Sequence, residues 1–240
     1  MAKTHKNICM LVIASRSKIY DGFIRFYWKR IIQIINQQNL SVQVYFVFGS
    51  GKNKQNNDDL GIDKKNILNF PSIYESRIPG IFQKTIKAFE FIQQNHTYHH
   101  IIRTNLSSFF ILSNLIRQCN LLPHKNCYAG VIGYDKQSNT QFVSGACYIL
   151  SKDQVEIVLK NEPSISSVKI LLDDVVIGKI LCHQHKIQLG RCSLRNRTYI
   201  SHYLIKNYIL KPGHFHVRMK TKNRKKDLWN CIRLTNAIYK

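Results

Sequence analysis

No stretch of this sequence is apolar for long enough to cross a bilayer. The run Ile8 to Ala14 is seven residues, whereas a membrane-spanning helix needs about 20, so a buried strand is the better reading. The start, Met1-Ala2-Lys3-Thr4-His5-Lys6, does not read as a signal peptide, and none is expected. We therefore expect a soluble, cytoplasmic protein with no membrane span. The sequence also lacks a CxxC pair, and its seven cysteines are odd in number. Both features argue for a reducing compartment and against a disulfide framework. Cys182-His183-Gln184-His185 with Cys192 matches no common zinc spacing, and these residues read as ordinary thiols and imidazoles.

Acids are scarce. Thirteen aspartates and glutamates face 36 lysines and arginines, a formal net charge of +23. Residues 181–240 hold 14 of the cations and one acid, Asp227. Such a surface attracts polyanions, yet no RRM, KH, zinc-finger or helix-turn-helix signature accompanies it. Lys, Asn and Ile are abundant along the whole chain, so part of the excess is compositional. A phosphate-bearing small ligand needs only a few of these cations, and no specific nucleic-acid partner is expected.

No repeat or low-complexity linker divides the chain. Its 240 residues, 44% apolar and 11% aromatic, suffice for one large domain with a substantial core. The strand Ile8–Ala14 leads through Ser15-Arg16-Ser17 into an amphipathic helix, Ile19 to Gln38, with Phe23, Phe26, Tyr27, Ile31, Ile34 and Ile35 near helical spacing. A second strand, Val42 to Phe48, ends at Gly49-Ser50-Gly51. Strand, helix, strand predicts a parallel βαβ unit with ligands near the strands' carboxyl ends. The loop 52–65 carries Asp58, Asp59 and Asp63, read as solvated surface. Further strands are expected at Ile67–Phe70, His100–Arg103, near 127–134 and near 141–150. Helices are expected at 81–94, from Lys152, from Asp173 and over 227–239. The fold class is α/β: a mostly parallel central sheet with helices on both faces.

Four segments occur in the order found in the β-1,3-galactosyltransferase and Fringe-like glycosyltransferases. VQVYFVFG over 42–49 resembles that family's second strand. Tyr74-Glu75-Ser76 with Phe82-Gln83-Lys84-Thr85 resembles its lysine-bearing helix. FVSGACYILS over 142–151 resembles its SGxGYxLS segment, and LDDVVIG over 172–178 its EDVxxG segment. The resemblance covers roughly residues 8–190. It implies a GT-A glycosyltransferase, a hexosyltransferase-like enzyme that moves a sugar from a nucleotide-sugar, here a UDP-sugar, to a glycan or a protein- or lipid-linked acceptor hydroxyl. Helices and strands that alternate early and mix later separately suggest a nucleotide-binding half (1–110) and an acceptor half (111–200), with a basic tail (201–240) expected to close over the donor.

Asp174 falls on the family's catalytic aspartate, a general base for an inverting transfer, and Asp173 on the neighbouring glutamate. One of the pair could serve only as a helix cap, since acids are favourable at helix N-termini. Ser144 and Gly145 would meet the acceptor, glycine allowing close approach of backbone to a sugar. Around the donor we expect Ser15, Arg16, Gly49, Lys84 and Arg103. The family's metal-binding DxD is missing: the same context reads Arg103-Thr104-Asn105-Leu106-Ser107-Ser108-Phe109. That string resembles a divergent glycosyltransferase-like branch found in microbes and large DNA viruses, which would place a viral copy in the host cytoplasm. Neutral oxygens are poor ligands for Mn²⁺ or Mg²⁺, so either the metal is lost or it is held weakly from elsewhere, and no tightly bound cofactor is expected. Thr104, Asn105, Ser107 and Ser108 would then contact the donor directly. Alternation over 214–220 puts His214, His216, Arg218 and Lys220 on one face: either His214 or His216 takes the place of the histidine that completes the metal shell in the family, or Arg218 and Lys220 bind the diphosphate directly. Two other readings stay open: a catalytically inactive relative, and a basic nucleic-acid-binding protein.

Overall fold

The coordinates are a computed structural model that describes residues 4–5, 7–50, 60–161, 171–184, 197–200 and 213–239. Asp58, Asp59, His185 and Cys192 lie outside the described residues. After a two-residue strand, β1 (Thr4–His5), comes β2 (Ile8–Ile13), which lies inside the main sheet. All six of its residues are apolar and buried, as a strand covered on both faces requires. Its side chains alternate: Met10 and Val12 join one hydrophobic cluster, Cys9 and Leu11 the other.

Parallel neighbours β3 (Val42–Ser50) and β6 (His100–Asn105) flank β2, and β4 (Ile67–Tyr74) pairs parallel with β3. The short β5 (His96–Thr97) pairs with β1. Beyond β6 the main sheet turns antiparallel, through β9 (Thr140–Ser151) to β8 (Tyr128–Asp135). The order β4-β3-β2-β6-β9-β8 makes a six-stranded, mostly parallel sheet. β4 runs four residues past the expected end at Phe70, because Pro71 sits on the sheet's edge strand, where a missing N–H is tolerated.

Helices cover both faces. On one lies a continuous helical run: α1 (Lys18–Gly22), a π-helical stretch Phe23–Trp28, and α2 (Lys29–Gln37). The same face takes α4 (Leu112–Leu121) and α7 (Arg224–Ile238), through Leu115 and Cys231. The other face takes α3 (Gly80–Asn95), α5 (Lys152–Lys160) and α6 (Asp173–Gly178). Among the described residues no helix is long and apolar enough to cross a membrane.

The sequence reading expected no strand between β6 and the strand near 127–134. The structure inserts β7 (Ser108–Phe110), which pairs antiparallel with β11 (His216–Met219), itself parallel to β10 (Arg197–Ile200). Two aromatic residues of the π-helical stretch hold this connection in place. Trp28 Nε1 donates to the Leu106 carbonyl at 2.9 Å, and the Tyr27 hydroxyl donates to Ser108 O at 3.0 Å. Both rings are fully buried, so these bonds satisfy polar atoms that would otherwise be costly to bury.

Candidate active site

The parallel strands end together, and a cavity of about 590 Å³ opens at their carboxyl ends. In parallel α/β sheets that is the expected side for ligands. Two ion pairs line it. Lys84 of α3, 1% exposed, donates to Glu75 Oε2 and to the Ala14 carbonyl, both at 2.7 Å. The other oxygen of Glu75 accepts from Gly49 N at 2.8 Å. This cluster ties the ends of β2, β3 and β4 to α3. Burial lowers the Lys84 pKa, and the Glu75 carboxylate opposes that shift.

The second pair is Arg103 with Asp173, Nη2 to Oδ2 at 2.5 Å, with side chains 5% and 10% exposed. Arg103 Nη1 also donates to the Gly145 carbonyl. Burial pushes the Asp173 carboxyl above its ordinary range, while the guanidinium draws it back down. Asp174, half-buried, accepts from Gly145 N at 2.7 Å through Oδ2 and from Val175 N at 3.1 Å through Oδ1. Arg103 and Asp174 thus hold Gly145 from its two backbone polar groups.

No side chain fits at Gly145. A Cβ there would lie 2.7 Å from Arg103 Nη1 and 3.3 Å from Asp174 Oδ2. Gly145→Ala is expected to cost about 1–3 kcal/mol as an overpacking change and to displace the Asp174 carboxylate. A thermal melt and a turnover assay check this, and an alanine variant matching wild type in both would refute it.

No family model matches the sequence, and no curated protein matches it significantly. Solved structures do match in shape. The galactosyltransferase LgtC, solved with donor and acceptor sugar analogues, superposes with a TM-score of 0.51 and 10% identity, over 96% of this chain and 95% of its own. An active-site mutant of LgtC gives 0.51 and 11%, over 95% and 94%. A glycosyltransferase involved in glycosylating the major capsid of PBCV-1 gives 0.49 and 9%, over 93% and 98%. This chain has the GT-A glycosyltransferase fold.

Within the GT-A fold the structure brings together Ser15, Lys84, Arg103, Asn105, Ser107, Ser144, Gly145, Asp173, Asp174, Arg218 and Lys220, all lining the cavity. Six expected donor contacts lie outside that lining. Arg16 turns to Asp21 at 3.6 Å and stacks over the Phe48 ring. Gly49 sits where a Cβ would lie 2.5 Å from the Ile73 carbonyl, so its role is close packing beside Glu75. Thr104 and Ser108 are fully buried and donate to the Ala146 carbonyl. The carbonyl of His214 accepts from Asn114, and the His216 ring is buried against Phe110 at 5.0 Å. Of the 214–220 alternation only His216–Met219 forms the strand β11, and its pairing with β7 leaves the His216 side chain buried.

Three charged residues of the lining went unassigned at the sequence level: Glu75, Arg77 and Arg224. The spacing of Glu75 before Lys84 was a usable signal, whereas Arg224 reaches the cavity through contacts more than 100 residues apart in sequence.

Among the described residues no three His, Cys, Asp or Glu side chains converge on one point. Each cavity carboxylate already has partners: Glu75 has Lys84 and Gly49 N, Asp173 has Arg103, and Asp174 has two backbone amides. Asn105 Oδ1 accepts from Ser108, and Ser107 Oγ accepts from Arg224.

Proposed function

We propose that this protein is a glycosyltransferase that carries a sugar from a nucleotide-sugar, UDP in the first instance, to a hydroxyl of a glycan or of a protein- or lipid-linked acceptor. One observation carries the reading: a cavity at the strand ends in which Asp174 faces a lining rich in Arg and Lys. Its volume falls within the usual range for small-molecule sites, roughly 300–1,000 Å³. The lining holds six cations, Arg77, Lys84, Arg103, Arg218, Lys220 and Arg224, against three carboxylates. Such an excess suits a diphosphate.

Asp174 takes the proton of the acceptor hydroxyl as its oxygen attacks the anomeric carbon. The bond from that carbon to the diphosphate oxygen breaks, and the electron pair leaves with the diphosphate. A base acting on a nucleophile in line with the leaving group gives inversion. Asp173, held by Arg103, is the secondary member of the pair. Residues 1–110 supply most of the donor side, residues 111–200 the acceptor side with Ser144 and Gly145, and Arg218, Lys220 and Arg224 come from the tail.

A thermal-shift panel of nucleotide-sugars and nucleoside diphosphates tests the reading. At 100 times its Kd a ligand stabilises the folded state by about 2.7 kcal/mol, a rise in Tm of about 5–11 °C for a chain of this size. UDP or a UDP-sugar is expected to give that rise, and slow donor hydrolysis should accompany it. No shift with any nucleotide would overturn the reading, and a shift without turnover of any donor would leave a binding protein.

A further inference from the structure

Arg224 is anchored in an unusual way. Among the described residues its Nη1 alone makes hydrogen bonds: to Asp227 Oδ2 at 2.8 Å, the Met219 carbonyl at 3.2 Å and Ser107 Oγ at 3.3 Å. Asp227 is fully buried and fixed by Thr221 N at 2.9 Å. Asn223 caps the helix one residue earlier, accepting from Lys225 N and Lys226 N. The guanidinium is therefore held at one nitrogen by buried and backbone groups, while the side chain remains 34% exposed and lines the cavity. A guanidinium carries five N–H donors in a planar fork. The three on Nη2 and Nε make no hydrogen bond with the described residues, and they form the edge that matches two phosphate oxygens at once.

We propose that Arg224 binds the diphosphate of the donor through this Nη2–Nε edge, in the part of the cavity where Asn105 and Ser107 offer no carboxylate, so that donor binding requires no divalent ion. The proposal rests on the nucleotide-sugar reading above. Arg218 and Lys220 line the same cavity and add positive charge. Because Arg224 is locked at Nη1, little side-chain freedom is lost when phosphate arrives.

Calorimetry of UDP and UMP binding to the full chain, with EDTA and then with added Mn²⁺, tests this. UDP is expected to bind equally well in both conditions. Arg224→Ala should weaken UDP by roughly 10- to 150-fold, the equivalent of a hydrogen bond to a charged group, and UMP much less. Arg224→Lys keeps a cation beside Asp227 and guards against misfolding of the alanine variant. It should still lose UDP affinity, because an ammonium lacks the planar edge. UDP binding that disappears in EDTA and returns with Mn²⁺, with both variants silent, overturns the metal-free assignment but leaves the glycosyltransferase reading intact. Equal losses for UMP and UDP overturn the diphosphate assignment. Wild type that binds neither nucleotide under either condition overturns the reading itself.

Discussion

Asp174→Asn is expected to lower turnover by about 10²–10⁴-fold, the usual contribution of a positioned general base, with little change in donor affinity. The substitution is close to isosteric and should keep the fold. An amide oxygen in place of Oδ2 still accepts from Gly145 N, and only the bond from Val175 N to Oδ1 is lost. Each oxygen of the native carboxylate accepts one backbone amide and so retains a lone pair for the acceptor hydroxyl. Asp173 is worse placed for that role. It is buried, and its charge is committed to Arg103. Steady-state kinetics on the two single asparagine variants distinguish them. Most activity surviving in Asp174→Asn sinks the assignment, and an equal loss confined to Asp173→Asn transfers the role to it.

The parts of this fold that were legible in the sequence are those whose signal is local. β2 is a continuous apolar run because both its faces are covered, and α3 and α6 begin within a residue of where periodicity and the Asp173-Asp174 pair put them. Part of the cavity lining was legible through short segments of adjacent residues, Ser144-Gly145 and Asp173-Asp174. What stayed hidden depends on distant partners. β7 is a strand only because β11 lies beside it, more than 100 residues away. Tyr27 read as a core position of a helix that also spans Trp28, and nothing nearby says that the polar atoms of these two rings hold the carbonyls of residues 106 and 108. Arg103 read as a strand-end arginine among the donor contacts. It is buried because its register places it across from Tyr148, on the face that α6 covers with Asp173.

That burial makes Arg103→Met the most destabilising change expected in the site. Removing one member of a buried pair leaves the other charge uncompensated, at a cost of about 3–5 kcal/mol, or about 6–20 °C in Tm for a chain of this size. Methionine fills much of the arginine stem's volume, so the loss reports the charge more than a cavity. The double variant Arg103→Met/Asp173→Asn removes both charges and should recover a large part of the loss, giving a coupling energy well above the additive limit.

The pH dependence follows from Asp173. Burial already raises its pKa, and without the guanidinium the shift upward grows. A carboxyl whose folded pKa exceeds its unfolded value stabilises the fold fully below the unfolded pKa. That contribution is lost as pH rises through the folded pKa. Arg103→Met should therefore be closest to wild type near pH 4–5 and fall furthest behind above neutrality. The double variant, with no carboxylate at residue 173, should lack that slope. Denaturant titrations of the three proteins at pH 5 and pH 8 decide the matter: a single variant within about 1 kcal/mol of wild type at both pH values would show that the Arg103–Asp173 pair does not hold the site together.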